Sequence, residues 1–159
     1  MSLLPEDKKQ LLRNDFKQKL VDPVKIVVFT QELECRYCNE TRKLSEELQA
    51  LSDKIATEDY DFVKDQDKAK ELGIERIPAL AVIGKQDYGV RYYGIPYGYE
   101  LQTLIEAIVN VSKGTTDLSE KTRAILKDIK TPVNIKVFVS LTCPHCPRAA
   151  AIAHKLAIE

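Results

Sequence analysis

The chain has 159 residues, of which 44% are hydrophobic and 30% are charged, so a packed core is expected and wholesale disorder is not. Its 24 basic and 24 acidic residues balance, which gives no electrostatic reason to expect a nucleic acid or an anionic membrane as partner. No segment is apolar enough for a signal peptide or a membrane span, so the predicted location is the cytoplasm. The absence of Trp, a single Met and interspersed charges fit a thermophile.

The first half of the chain predicts helices that alternate with strands. Apolar residues at helical spacing indicate a helix over residues 5–20, and a β-branched run indicates a strand over residues 24–30. The motif Cys35-Arg-Tyr-Cys38 follows this strand directly. A second helix is then predicted from apolar residues that recur on one face, namely Leu44, Leu48, Leu51 and Ile55.

A weak strand at residues 60–63 and a short helix at residues 69–72 are predicted next. Residues 79–83 and 90–93 indicate a hairpin. A final helix ends near Gly114, where glycine is a common helix terminator. The order of elements predicts an α/β fold.

The pattern then starts again, which indicates an internal repeat. A helix up to Pro132, a strand over residues 135–141, the motif Cys143-Pro-His-Cys146 and a closing helix are predicted. Pro23 and Pro132 open similar segments 109 positions apart, and the cysteine pairs are 108 positions apart. Two repeats of this length suggest duplicated domains rather than a solenoid.

Two Cys-X-X-Cys motifs, each between a strand and a helix, predict thiol–disulfide chemistry. The first cysteine of such a pair lies near unpaired N–H groups at a helix start, which stabilise a thiolate that attacks disulfides. We therefore assign attack to Cys35 and Cys143, and resolution of the mixed disulfide to Cys38 and Cys146.

The intervening residues are expected to tune the pairs. A protonated His145 would favour the Cys143 thiolate and make that disulfide more oxidising, and Arg36 would do the same for Cys35 if its side chain folds back. His154, on the last helix, is expected to be a solvated surface residue.

A zinc-binding structural or interaction module is the alternative, because four cysteines in two pairs can hold one zinc ion. The 104 residues between Cys38 and Cys143 argue against it, since structural zinc sites usually bring the second pair within tens of residues. Thiol titration with and without a chelator separates the two interpretations.

With these motifs, the chain resembles the protein disulfide oxidoreductases of thermophilic archaea and bacteria, also called glutaredoxin-like, which fuse two thioredoxin-fold units. The resemblance implies dithiol–disulfide exchange with protein substrates, no bound cofactor, and a thioredoxin-reductase-type flavoprotein as a possible electron partner. It also implies that Ile77-Pro78 matches the family's cis-proline segment, which binds the substrate backbone beside the disulfide. Thioredoxins carry a buried acid six residues before the first cysteine, where this chain has Phe29 and Val137.

On this resemblance, residues 1–114 form a complete thioredoxin-like unit and residues 115–159 an incomplete second one. A residue 108 positions after Pro78 would lie beyond Glu159, so the second unit is expected to have no cis-proline of its own. The second unit would be completed by a longer chain or by another chain. The predicted fold is therefore thioredoxin-like α/β, in tandem units with the second incomplete.

Overall fold

The computed structural model describes residues 2–159. Their elements follow one another in the order α1 (Glu6–Lys19), β1 (Val24–Thr30), α2 (Cys38–Gln49), β2 (Ile55–Asp61), α3 (Gln66–Glu71), β3 (Ala79–Ile83), β4 (Val90–Tyr93), α4 (Glu100–Lys113), α5 (Glu120–Lys127) and α6 (Cys146–Ile158). Within residues 2–159, none of these helices has the length and apolar content needed to cross a membrane.

Four strands form one mixed sheet in the order β2-β1-β3-β4. Strand β1 runs parallel to β2 and antiparallel to β3, and β4 is antiparallel to β3. The central strand β1 is apolar at almost every position because both of its faces are covered, as is usual for interior strands. This arrangement confirms the predicted α/β fold.

Alternate residues of β1 enter two different core clusters. Ile26 and Val28 face the larger cluster, which packs the sheet against α1, α2 and α4 through Phe16, Leu44 and Leu104 among others. Val27 and Phe29 face the smaller cluster beside α3. The sheet therefore lies between two helical layers, and its central strand ends directly before the first cysteine pair.

Helix α2 and strand β2 differ from their predicted bounds. The helix ends at Gln49, and Ile55 opens β2 instead of continuing the helical face. Strand β2 is seven residues long because it pairs in register with β1 from Val24 to Thr30. Its mostly polar residues give little hydrophobic signal, so backbone pairing with β1 sets its length.

The predicted strand over residues 135–141 is wrong. Residues 133–140 form no ladder with any strand of residues 2–159, and their apolar side chains are largely exposed, with Phe138 87% exposed. A lone strand leaves its backbone hydrogen-bonding groups unpaired, so a β-branched sequence is not sufficient to form one. The preceding helix α5 also ends earlier than predicted, at Lys127.

Helix α6 packs against α4 and β4. Ile158, 5% exposed, joins the larger core cluster, and Lys155 Nζ lies 2.7 Å from a carboxylate oxygen of Glu106 on α4. His154 also lies at this interface, with its ring centroid 4.8 Å from that of Tyr92. The expectation that His154 is a solvated surface residue is therefore wrong, because α6 turns this side chain toward β4.

Glu47 connects the N-terminal segment to α2, the helix that begins at Cys38, through hydrogen bonds and an ion pair. Its carboxylate accepts hydrogen bonds from the Leu3 and Leu4 N–H groups and from the Ser2 hydroxyl, and it lies 3.4 Å from Lys9 Nζ. Burial alone raises the pKa of Glu47, but these partners outweigh it and lower the pKa to about 2.

We expect Glu47→Gln to lower the free energy of unfolding by about 1–3 kcal/mol near neutral pH. Since the folded pKa is lower than the unfolded one, the contribution is complete above about pH 4.5 and is lost as the pH falls toward about 2. Urea unfolding at about pH 7 and about pH 3 should show the wild-type advantage shrinking. An equal difference at both pH values would contradict this account.

Candidate active site

The first cysteine pair lies in the loop between β1 and α2. Two non-glycine residues of this loop have left-handed backbone conformations, Glu34 with φ 56° and Tyr37 with φ 71°. Cys35 and Cys38 form a disulfide, with their Cα atoms 5.6 Å apart. The loop thus brings Cys35 back to the first turn of α2, which begins at Cys38.

The two sulfur-bearing residues of this pair differ in exposure. Cys35 is half-buried, whereas Cys38 is only 2% exposed. A protein substrate therefore has access to Cys35 but not to Cys38. This asymmetry supports the predicted roles of attack by Cys35 and resolution by Cys38.

The start of α2 offers a favourable site for a Cys35 thiolate. No side chain caps the helix at Tyr37, so the N–H groups of the first turn are not occupied by a capping oxygen. Such N–H groups and the helix dipole stabilise a nearby anion. The guanidinium carbon of Arg36 lies over the Tyr37 ring, 4.9 Å from its centroid, and the tuning of Cys35 by Arg36 stays a prediction.

The second pair lies at the start of α6. Cys143 and Cys146 form a disulfide with Cα atoms 5.5 Å apart, and the Cys146 N–H donates a hydrogen bond to Cys143 Sγ at 3.2 Å. This is the contact by which a helix start stabilises a thiolate. His145 occupies the N-cap position and is exposed.

The second pair is more open than the first. Cys146 is half-buried, as is Cys143, whereas Cys38 of the first pair is almost fully buried. The two pairs therefore share their spacing and their place at a helix start, but only the first pair conceals its second cysteine.

Pro78 lies at the same end of the sheet as the first cysteine pair. The Ile77–Pro78 peptide bond is cis, as the family resemblance implies. Pro78 is buried and directly precedes Ala79, which pairs with Phe29 near the end of β1. The backbone of Ile77 and Pro78 thus lies at the end of β1 from which the Cys35 loop departs, and substrate binding by these residues stays a prediction.

Sequence reasoning did not identify one buried acid, Glu100. It is 4% exposed at the start of α4, and its Oε1 atom has no hydrogen-bond partner within residues 2–159. Burial raises the pKa of Glu100, and a 3.2 Å hydrogen bond from the Thr103 hydroxyl opposes the rise. An acid in the first turn of a helix normally indicates an exposed residue that stabilises the helix dipole, so the sequence carried no signal for its burial.

The zinc alternative requires four thiolates directed at one point. In this structure each cysteine is instead bonded to its partner three residues away. Among residues 2–159, no group of three or more Cys, His, Asp or Glu side chains is arranged to hold a metal ion.

Two solved structures resemble the chain over nearly its whole length. A protein disulfide oxidoreductase from Aeropyrum pernix matches 98% of this chain with a TM-score of 0.89 and 30% sequence identity, and 68% of that protein is covered. The NTD_N/C domain of alkylhydroperoxide reductase AhpF from Enterococcus faecalis matches 98% of this chain with a TM-score of 0.83 and 26% identity, and 74% of that domain is covered.

Curated relatives are matched over a smaller part of their length. A Bacillus subtilis NADH dehydrogenase is 32% identical over 106 residues, which is 65% of this chain and 18% of that protein. The chain spans about a fifth of the length of the first curated relatives that it matches. No protein-family model matches the chain.

Proposed function

The chain belongs to the thioredoxin-fold disulfide oxidoreductases, and on that premise we propose that it exchanges disulfides with protein substrates through both of its cysteine pairs. The observation that carries the proposal is the asymmetry of the first pair. A half-exposed Cys35 faces an uncapped helix start, and a buried Cys38 lies within bonding distance of it. This arrangement suits attack on an external disulfide followed by internal resolution.

In the reducing direction, the Cys35 thiolate attacks one sulfur of the substrate disulfide and releases the other as a thiolate. Cys38 then loses its proton and attacks Cys35 Sγ, which releases the second substrate thiolate and closes the Cys35–Cys38 disulfide. The pair gives up two electrons, the substrate gains them, and two protons end on the substrate thiols. The same steps in reverse oxidise a substrate dithiol.

We propose that residues 1–114 form one thioredoxin-like unit and that residues 115–159 correspond to the opening part of a second. The repeated proline-strand segment and the 108-residue offset of the cysteine pairs support this division. The similarity to the Aeropyrum pernix protein supports a relationship with the disulfide oxidoreductases of thermophilic archaea.

We further propose a thioredoxin-reductase-type flavoprotein as the source of electrons in the cytoplasm, where thiols are kept reduced. The resemblance to a named reductase domain, that of alkylhydroperoxide reductase, supports a reductase partner. Electrons pass between sulfur atoms, so the exchange itself needs no cofactor bound to this chain.

Insulin reduction by dithiothreitol tests the proposal with the full chain. The wild-type chain should accelerate the reaction by about tenfold or more, and the double variant Cys35→Ser/Cys143→Ser should lose this acceleration, because neither pair then has an attacking thiolate. Each single variant should retain the activity of the other pair. Tight binding of one zinc ion by the reduced chain, without acceleration of insulin reduction, would support the zinc module instead.

A further inference from the structure

Arg42 lies on α2 about one turn after Cys38 and bridges the two elements that flank the Cys35 loop. Its guanidinium donates a hydrogen bond from Nη2 to the Thr30 hydroxyl, and Thr30 is the last residue of β1. The loop leaves the sheet after Thr30 and ends where α2 begins, at Cys38. The hydrogen bond between Arg42 and Thr30 therefore connects the strand and the helix on either side of this loop.

The guanidinium of Arg42 lies between the first half of α2 and the end of β1. Long side chains of a helix point toward its N-terminus, and residues four apart share a face, so Arg42 projects toward the turn of Cys38. Thr30 is 1% exposed, so the contact lies between helix and sheet rather than in solvent. The positive charge is thus held beneath the start of the helix.

Two acids of β2 share this face of the sheet with Thr30. Asp61 is paired with Thr30 in the parallel register of β1 and β2. Asp59 is paired with Val28, which faces the larger core cluster on the α2 side. Arg42 Nε lies 3.9 Å from Asp59 Oδ1. The end of β2 thus places two carboxylates beside the guanidinium.

The pKa values of both acids respond to the charge of Arg42. Partial burial raises the pKa of Asp59, and Arg42 opposes the rise, whereas the carboxylate of Glu46 on α2 adds to it. A hydrogen bond from the Lys64 N–H is the largest cause of the lowered pKa of Asp61, and the Arg42 charge contributes to the lowering. Arg42 therefore offsets negative charge at this end of the sheet.

A second cation, Lys64, is held less firmly than Arg42. Its Nζ lies 3.9 Å from carboxylate oxygens of Glu32 and Asp61, and its side chain is 71% exposed. Exposed pairs of this kind contribute little, because solvent screens the charges and two long side chains must be ordered. The Arg42 charge has a buried partner in Thr30 and so keeps a fixed position beside the loop of the first pair.

The second motif provides a comparison within the same chain. Ala150 stands four residues after Cys146, is buried and carries no charge. Residues 133–140, which precede this motif, pair with no strand of residues 2–159, so no acidic strand lies beside them as β2 lies beside β1. An effect of Arg42 on its own pair should therefore be absent from the second pair.

We propose that Arg42 is a positioning residue of the first pair, whose charge, held by Thr30, offsets the carboxylates of β2 and thereby favours the thiolate of Cys35 over its thiol. Without Arg42, like-charge repulsion from those carboxylates would disfavour the thiolate, and the attacking form would be populated only at higher pH. Cys35 loses its proton to solvent, and Arg42 takes no part in that transfer. The inference rests on the proposed role of Cys35 as the attacking residue.

The test is the pH profile of iodoacetamide alkylation in the reduced full chain, read separately for Cys35 and Cys143 by mass spectrometry. Arg42→Gln should raise the midpoint of the Cys35 profile by about 0.5–1 pH unit, which makes the reaction about threefold to tenfold slower on the acid side of that midpoint. Asp59→Asn should lower the midpoint, because it removes an opposing carboxylate. The Cys143 profile should stay at its wild-type position in both variants.

The opposite signs of the two shifts distinguish a charge effect from loosening of the loop, since loosening does not depend on the sign of the charge removed. Arg42→Lys keeps the charge and should keep most of the wild-type midpoint. Thr30→Val removes the hydroxyl that holds the guanidinium but leaves the charge, so its midpoint should rise by less than that of Arg42→Gln. Salt at about 1 M should shrink the shifts, because the screening length falls to about 3 Å.

The proposal is overturned if the Cys35 midpoint does not rise in Arg42→Gln, does not fall in Asp59→Asn, or moves equally at Cys143. Circular dichroism establishes that each variant is folded. Asp59→Asn leaves the hydrogen bond between Arg42 and Thr30 intact, so it carries the test if Arg42→Gln does not fold. Alkylation needs no disulfide substrate, so opposite midpoint shifts in a chain that does not reduce insulin would refute the proposed function and not the role of Arg42.

Discussion

Replacing Cys38 with serine should convert the chain into a trap that stays covalently bound to its substrates through Cys35. Cys35 is half-buried at an uncapped helix start and still attacks, but the buried thiol that resolves the mixed disulfide is gone. Intramolecular resolution benefits from a very high effective concentration, so its loss should lengthen the life of the adduct by about a hundredfold or more. Non-reducing electrophoresis and mass spectrometry of the adduct measure this directly.

The control variant changes the attacking cysteine of the first pair, and the second pair is inactivated in every variant. Cys35→Ser should give no adduct through the first motif, because Cys38 is 2% exposed and out of reach of a protein disulfide. All of these variants should carry Cys143→Ser, which silences the second pair. An adduct found on Cys38 in the Cys35→Ser background would reverse the assigned roles.

After reduction, Cys146 should be alkylated by a small reagent at least about ten times faster than Cys38. The two residues hold the same place in their motifs, but Cys146 is half-buried and Cys38 almost fully buried, so the reagent meets only the former without prior opening of the fold. Timed quenching of the reduced chain with peptide mass spectrometry gives both rates in one experiment.

The alkylation rates of Cys146 and Cys38 in the unfolded chain provide the control for this comparison. In about 6 M guanidinium the two rates should become equal, since only local sequence then distinguishes the thiols. Equal rates in the folded chain would mean that Cys38 loses its protection on reduction, and the burial argument for its resolving role would fail.

The two motifs have the same spacing but differ in how accessible their cysteines are. The first pair has a concealed second thiol, whereas both members of the second pair are accessible to small molecules. The second pair instead has a direct backbone hydrogen bond to its first sulfur. We therefore expect the first pair to turn over protein disulfides faster than the second pair, and the second pair to react more readily with small reagents.

Local sequence determined the features that depend on short-range patterns. The spacing of Cys35 and Cys38 predicted a pair at a helix start, and the pair is found there. The apolar runs of β1, β3 and β4 predicted those strands with their observed bounds, because each lies next to a buried face. The resemblance carried by the motifs pointed to the cis bond before Pro78.

Tertiary structure decided the features that depend on residues distant in the chain. Strand β2 is long because β1 lies beside it, whereas the more strongly β-branched residues 133–140 have no partner strand within residues 2–159 and remain unpaired. Glu100 is polar and stands where an exposed acid is expected, yet it is buried. His154, more than sixty positions from Tyr92, became its neighbour only when α6 docked. Burial and pairing arise from the whole fold, so no local pattern could have specified them.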